Sequence, residues 1–140
     1  WIQPAQTEAQ DAKAMPQAPV EAFYCNLKEG KSKRDLMQVA ERFSSWADKH
    51  DPGYAAWVLS PQFGLGAELP QLIWLGSWPN GSAMGKGIAG YQAGGGELQG
   101  AFDTVVDCSI ANVLASSIEI NVPDGPPGDG VVMFTHPPPS

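Results

Sequence analysis

Basic residues are scarce in this sequence. Lys and Arg together number 8 against 15 Asp and Glu, which leaves a net charge of −7. Nucleic acid and anionic lipid surfaces both demand clustered cations, so neither is expected as a partner. Charge of either sign is thin: charged residues make up 16% of the chain, below the usual quarter or so. The surface must then be built from Gly, Pro, Ser, Gln and Ala. No apolar run approaches the roughly 20 residues of a membrane helix, so no membrane span is expected. Histidine is nearly absent, with 2 in all. His50 closes a helical stretch, where a cation suits the carbonyl end, and His136 precedes a run of prolines. Neither stands in ligand spacing with Cys, Asp or Glu, so no metal is expected. No G-x-S-x-G occurs, which excludes a hydrolase nucleophile elbow. Asp124 and Asp129 in "DGPPGDG" lack the ladder of oxygens a calcium loop needs.

What remains is a chain of 140 residues, 43% of them hydrophobic. That suffices for one domain with a core. The chain opens at Trp1 rather than Met, which reads as a processed product of export. Its 2 cysteines, Cys25 and Cys108, fit an exported protein. If they pair, they close a long loop and stabilise by roughly 4–5 kcal/mol at best. Two buried free thiols are the alternative.

Residues 1–19 are rich in Gln, Ala and Pro without a sustained period, and read as an extended arm or linker. Val20–Leu27, "VEAFYCNL", alternates as a strand does. Ser32 and Asp35 have the form of a capping box. Leu36, Val39, Ala40, Phe43, Trp46 and Ala47 then fall at helical spacing, and Asp51-Pro52-Gly53 stops that helix. Tyr54–Ser60 and Gln71–Trp78 read as strands. Ser82 caps a second helix from Ala83, interrupted at Gly94–Gly96, and helical spacing resumes through Cys108. Asn112–Val122 is the fourth strand. "PDGPPGDG" is a loop, Val131–His136 a short final strand, and the last prolines end any sheet. The expected domain plan is an arm over 1–19, an α/β domain over 20–122, and a loop, strand and Pro-rich tail over 123–140.

Gly85, Gly87 and Gly90 spell G-x-G-x-x-G, the pattern of a dinucleotide fingerprint. That fingerprint needs its glycines in the turn between a strand and a helix, with an acid about 20 residues on in the next strand. Here the glycines fall inside a helix, and Asp103 and Asp107 lie in helical sequence. A phosphate loop from Gly81 to Gly85-Lys86 is one residue short, with Gly87 where Ser or Thr should stand. No cofactor is expected. Each interior helix glycine costs about 1 kcal/mol against Ala, so the stretch implies close approach of that helix to the sheet or to a partner. Asn80-Gly81-Ser82 also matches a glycosylation sequon, and Asn-Gly after Pro equally makes a turn.

The aromatic residues are the main candidates for a site. Tyr24, Trp57, Trp74 and Trp78 lie on expected strands, with Trp74 and Trp78 sharing a face. They serve either as core, or as the lining of a pocket or subunit seam on a sheet face that helices leave bare.

The stretches "AFYCNLKEGKSKRDLMQVAERFSSWAD", "YAAWVLSPQF" and "LIWLGSWPNGSAMGKGIAGY" resemble the dimeric α/β-barrel superfamily. More narrowly, they are similar to small exported proteins of uncharacterised function known mainly from marine bacteria. The resemblance runs from about Val20 to Val122 and rests on element order and the G-S-W-P turn. It implies a ferredoxin-like βαββαβ plait: an antiparallel sheet with two helices on one face, plus here an extra C-terminal strand. It also implies dimers in which two sheets pack face to face. Members include cofactor-free monooxygenases, haem-handling enzymes and isomerases, whose active groups do not transfer by motif. No His or Arg on a strand offers itself as a base or haem ligand. The expectation is therefore an exported, non-catalytic binding or assembly protein, a homo-oligomer or subunit of a larger complex. It would dock through its sheet face and terminal extensions. The alternative is a small-molecule enzyme or carrier of the same superfamily, with a pocket lined by Tyr24, Trp57, Trp74 and Trp78.

Overall fold

A computed structural model describes residues 17–64, 69–121 and 124–125. The element order is β1 (Gln17–Leu27), α1 (Lys33–His50), β2 (Ala55–Leu59), β3 (Leu72–Ser77), α2 (Gly81–Gly94), α3 (Gly96–Val105) and β4 (Val106–Ile118). The strands form one sheet in the order β2-β3-β1-β4. Every neighbouring pair is antiparallel. The fold is thus α+β, with three helices rather than two among the described residues.

The first helix begins where the capping box places it. The Asp35 backbone N–H donates to Ser32 Oγ, and the Ser32 N–H donates back to the Asp35 carboxylate at 2.8 Å. The Ser32 N–H bond, with a second bond from the Ser32 hydroxyl at 3.1 Å, holds the Asp35 carboxyl below its ordinary range. The helix stops at Asp51, whose N–H returns to the Ala47 carbonyl at 2.7 Å.

Strand alternation gives the sheet two unlike faces. Glu21, Phe23, Cys25 and Leu27 share one face with Leu72, Trp74 and Gly76. On it, Cys25 and Leu72 join Leu36 and Val39 of α1 and Val105 at the end of α3 to form the core. Leu36 and Leu72 are each 1% exposed. Each such leucine stabilises the fold by about 1.5–3 kcal/mol. Val20, Ala22 and Tyr24 point to the other face with Ile73 and Leu75. Cys25 and Cys108 are bonded to each other and pin β1 to β4 beside a register shift between Tyr24 and Asn26.

Several boundaries differ from the sequence expectation, among them the end of β4, which stops at Ile118 and not at Val122. Strand β1 starts three residues early, at Gln17, because Gln17–Pro19 pair with β4 beyond the last β3 partner of Val20. Pro19 lacks an N–H, yet its carbonyl accepts from the Trp78 N–H at 3.3 Å and the Ser77 hydroxyl at 3.1 Å. Helix α2 starts at Gly81 and is capped by Asn80, not Ser82: Asn80 Oδ1 accepts from the Ala83 N–H at 2.8 Å. The glycine run makes two helices that meet at Gly95. Helix α3 ends at Val105, and β4 follows at once, with Val106 extended, instead of helix continuing to Cys108. The bridge to Cys25 and the pairing of Asp107 with Asn26 hold that segment in the sheet. The expected strand Val131–His136 and the arm over 1–16 lie outside the described residues.

Candidate functional site

Phe43 projects from the middle of α1 toward the sheet, and rings gather around it. Its centroid lies 5.5 Å from Trp74, 5.6 Å from Tyr54, 6.0 Å from both Tyr91 and Phe102, and 6.1 Å from Trp46. Most of these contacts are edge-to-face, the arrangement that ring quadrupoles prefer. The rings do not close on one another. All six are only partly buried, and they line a cavity of about 830 Å³ between the sheet and the helices. A smaller hollow of about 430 Å³ lies between α1 and β2.

Polar groups enter the larger cavity as a chain. The Trp74 indole N–H donates to the Tyr54 hydroxyl at 2.8 Å, and that hydroxyl donates to Glu21 at 2.7 Å. Beside them the Trp78 indole N–H donates to Asp51 at 2.9 Å. At the other end, the Tyr91 hydroxyl donates to Gln99 at 3.0 Å, and the Gln99 amide donates to Asp103 at 2.9 Å. Among the described residues, no buried side-chain polar atom lacks a partner.

Two glycines make this arrangement possible. Gly76 is buried in β3, and a Cβ there would meet the Tyr54 hydroxyl and come within 2.6 Å of its ring. The bare backbone lets Tyr54 lie across the sheet and reach Glu21. Gly87 does the same for α2: a Cβ would strike the Asp51 carboxylate and stand 2.7 Å from the Trp78 indole nitrogen. Gly85 and Gly90 face open space. The G-x-G-x-x-G pattern therefore lies within α2, and only its middle glycine makes a close approach.

Burial pushes the Glu21 carboxyl above its ordinary value of 4.5; the Tyr54 bond opposes this and the nearby Asp51 charge adds to it. The Tyr54 hydroxyl is also pushed up, by burial first and then by Glu21. Burial, with help from Asp103, raises Tyr91. A raised carboxyl holds its proton in the folded chain after the unfolded chain has released it. Glu21 therefore favours folding most below pH 4.5, and that contribution fades as pH rises through the raised value. Glu21→Gln removes the titration while keeping an acceptor for Tyr54. Its melting temperature relative to the unsubstituted protein is expected to be higher at about pH 8 than at about pH 5. A difference that stays constant across thermal melts in that range would show that Glu21 does not titrate with folding.

The structure divides the aromatic residues singled out from the sequence. Trp74 and Trp78 do come together, on the helix-covered face and around Tyr54, whose ring is 4.7 Å from Trp78. Tyr24 stands on the opposite face, paired with Ile73, and Trp57 is paired there with Leu75. Trp57 also borders the smaller hollow at the sheet edge. These four residues do not line one pocket. Sequence reasoning passed over Glu21, Phe43, Asp51 and Tyr91. Glu21 carried a readable signal, as an acid on the same strand parity as Phe23, Cys25 and Leu27. Asp51 reads as a helix stop and serves as one, while its carboxylate also holds Trp78. His50 bonds the Trp46 carbonyl at 2.9 Å and stacks on that ring at 4.8 Å, as a helix-end residue. His136 lies outside the described residues.

Among the described residues, no three His, Cys, Asp or Glu side chains converge as a metal site. No helix there is long and apolar enough to cross a membrane. No protein-family model matches the chain, and no curated protein matches it.

Proposed function

We propose that this protein binds a small, largely apolar molecule in the cavity between its sheet and its helices. It would act as a carrier or enzyme of the dimeric α/β-barrel type. The observation that carries this reading is the Phe43 ring cluster: its rings line about 830 Å³ of space instead of filling it. Volumes of about 300–1,000 Å³ lined by aromatics with a few converging polar groups are typical of ligand pockets. The Trp74–Tyr54–Glu21 chain supplies those groups. Intrinsic tryptophan fluorescence tests the reading directly, since Trp46, Trp74 and Trp78 all border the cavity. A screen of flat, uncharged and charged aromatic metabolites is expected to change the emission with saturation. No saturable response across those classes would remove the proposal.

The finer fold reading, a ferredoxin-like plait, is supported by two split β-α-β units. Strands β1 and β2 run parallel with β3 between them, and β3 and β4 run parallel with β1 between them. Export is supported by the Cys25–Cys108 bond, because disulfides persist in oxidising compartments.

A second reading, self-association or docking through the other sheet face, rests on a different observation. Among the described residues no helix packs on that face, although it carries Val20, Tyr24, Leu75, Trp57 and Val113. Trp57 is 47% exposed and Val113 50%. Burying such a surface against a second copy is the ordinary way to remove it from water. Native mass measurement is expected to find a dimer that Trp57→Glu converts to monomer. A monomer at all concentrations would end this reading and leave the cavity reading intact.

A further inference from the structure

The geometry points to a protonated aryl amine as the class of ligand the cavity takes, an inference that rests on the cavity reading above. It follows from where the hydrogen-bond donors go. The Trp74 N–H is spent on Tyr54, the Tyr54 O–H on Glu21, and the Trp78 N–H on Asp51. At the far end, the Tyr91 O–H is spent on Gln99, whose amide donates to Asp103. The acceptors are not exhausted. An ionised carboxylate offers about four lone-pair positions, and Glu21, Asp51 and Asp103 each accept one side-chain bond here. Around Glu21 and Asp51 the cavity is therefore rich in acceptors and short of donors, whereas Lys28, Trp46, Gln92 and Asn112 border other parts of it.

The charges agree in sign. Among the described residues Glu21, Asp51, Asp103 and Asp107 line the space, no Arg or His does, and the one lysine, Lys28, stands in the field of Asp107. A carboxylate or phosphate ligand would find few free donors and a repulsive field. An ammonium group brings three N–H donors and the opposite charge. Its place is between Glu21 and Asp51, whose mutual repulsion it would relieve. Its flat body then lies among Phe43, Trp74 and their neighbours, where a cation near a ring centroid gains further attraction. The protein's net charge of −7 draws such ligands in.

The test uses three probes with one ring and three heads: 2-phenylethylammonium, 2-phenylethanol and phenylacetate. Each is titrated into the full chain and followed by calorimetry and tryptophan fluorescence. The ammonium is expected to bind at least about tenfold tighter than the alcohol, and phenylacetate weakest, since a bond to a charged group exceeds a neutral one by that order. Asp51→Asn should lower ammonium affinity about tenfold more than it lowers that of the alcohol. If that variant fails to fold, the ranking of the three probes on the unsubstituted protein decides alone. Equal affinity for ammonium and alcohol, or tighter phenylacetate, overturns the amine inference while the cavity reading stands. No response to any of the three overturns both.

Discussion

Replacing both Cys25 and Cys108 with alanine is expected to lower the unfolding free energy by about 5 kcal/mol. The bond joins residues 83 apart in sequence. Every helix, β2 and β3 all lie inside that loop. Opening it restores to the unfolded chain the freedom of nearly the whole domain, which the chain-entropy account sets at about 4–5 kcal/mol. A second loss comes from packing, since Cys25 is fully buried against Leu36, Leu72 and Val106. For a domain of this size the melting point should fall by about 10–15 °C. Reduction without substitution separates the two losses, because it frees the loop and keeps both sulfurs in place. If reduction alone moves the melting point by less than about 3 °C, loop closure is not what the bridge contributes. The domain can ill spare it. Among the described residues the fully buried side chains come down to Leu36, Leu72 and Cys25, and the rings that would complete a core stand around a cavity instead.

That trade explains which parts of the structure were legible in the sequence. Helix α1 could be read to the residue at its start, because the Ser32–Asp35 capping box is a local signal with a local outcome. The alternation of β1 was as plain, since period two follows from the backbone itself. The end of α3 was not legible. "TVVDC" suits either structure, and the distant Cys25 and Asn26 decide for a strand. The site was hidden for the same reason. Its chain runs Trp74–Tyr54–Glu21, across three segments, and nothing local in Tyr54 announces a partner 33 residues away. Tyr24, Trp57, Trp74 and Trp78 form one group in the sequence because all four fall on expected strands. Parity separates them once register is known, and register is a tertiary fact. The glycines were legible only in part: the spacing implies a close approach, which Gly87 makes, while nothing local marks Gly76, alone in a strand, as the glycine that holds Tyr54.

Gly76→Ala is therefore the substitution expected to damage the site most for the least chemical change. Strand propensity alone predicts a gain of about 0.5–1 kcal/mol, since glycine in a strand interior is a cost. The contacts predict the reverse. A methyl group at Gly76 would overlap the Tyr54 hydroxyl and press its ring carbons at 2.6 Å. The ring cannot shift without leaving Glu21 and Trp74, so both hydrogen bonds go, and two part-buried polar groups lose a partner. Crowding costs about 1–3 kcal/mol, and each stranded polar group about 1–3 more if water does not reach it. A net loss of about 2–4 kcal/mol is expected, and the two accounts differ in sign. A double-mutant cycle isolates the cause. With Tyr54→Ala the obstructing ring is gone, so adding Gly76→Ala should cost nothing and can even return the propensity gain. The site gives an independent readout, because a displaced Tyr54 should abolish the ligand response of the tryptophans even where the variant stays folded. Were Gly76→Ala to stabilise the protein and leave that response intact, Tyr54 would not be held where the sheet places it, and the Trp74–Tyr54–Glu21 chain could not be the polar end of a binding site.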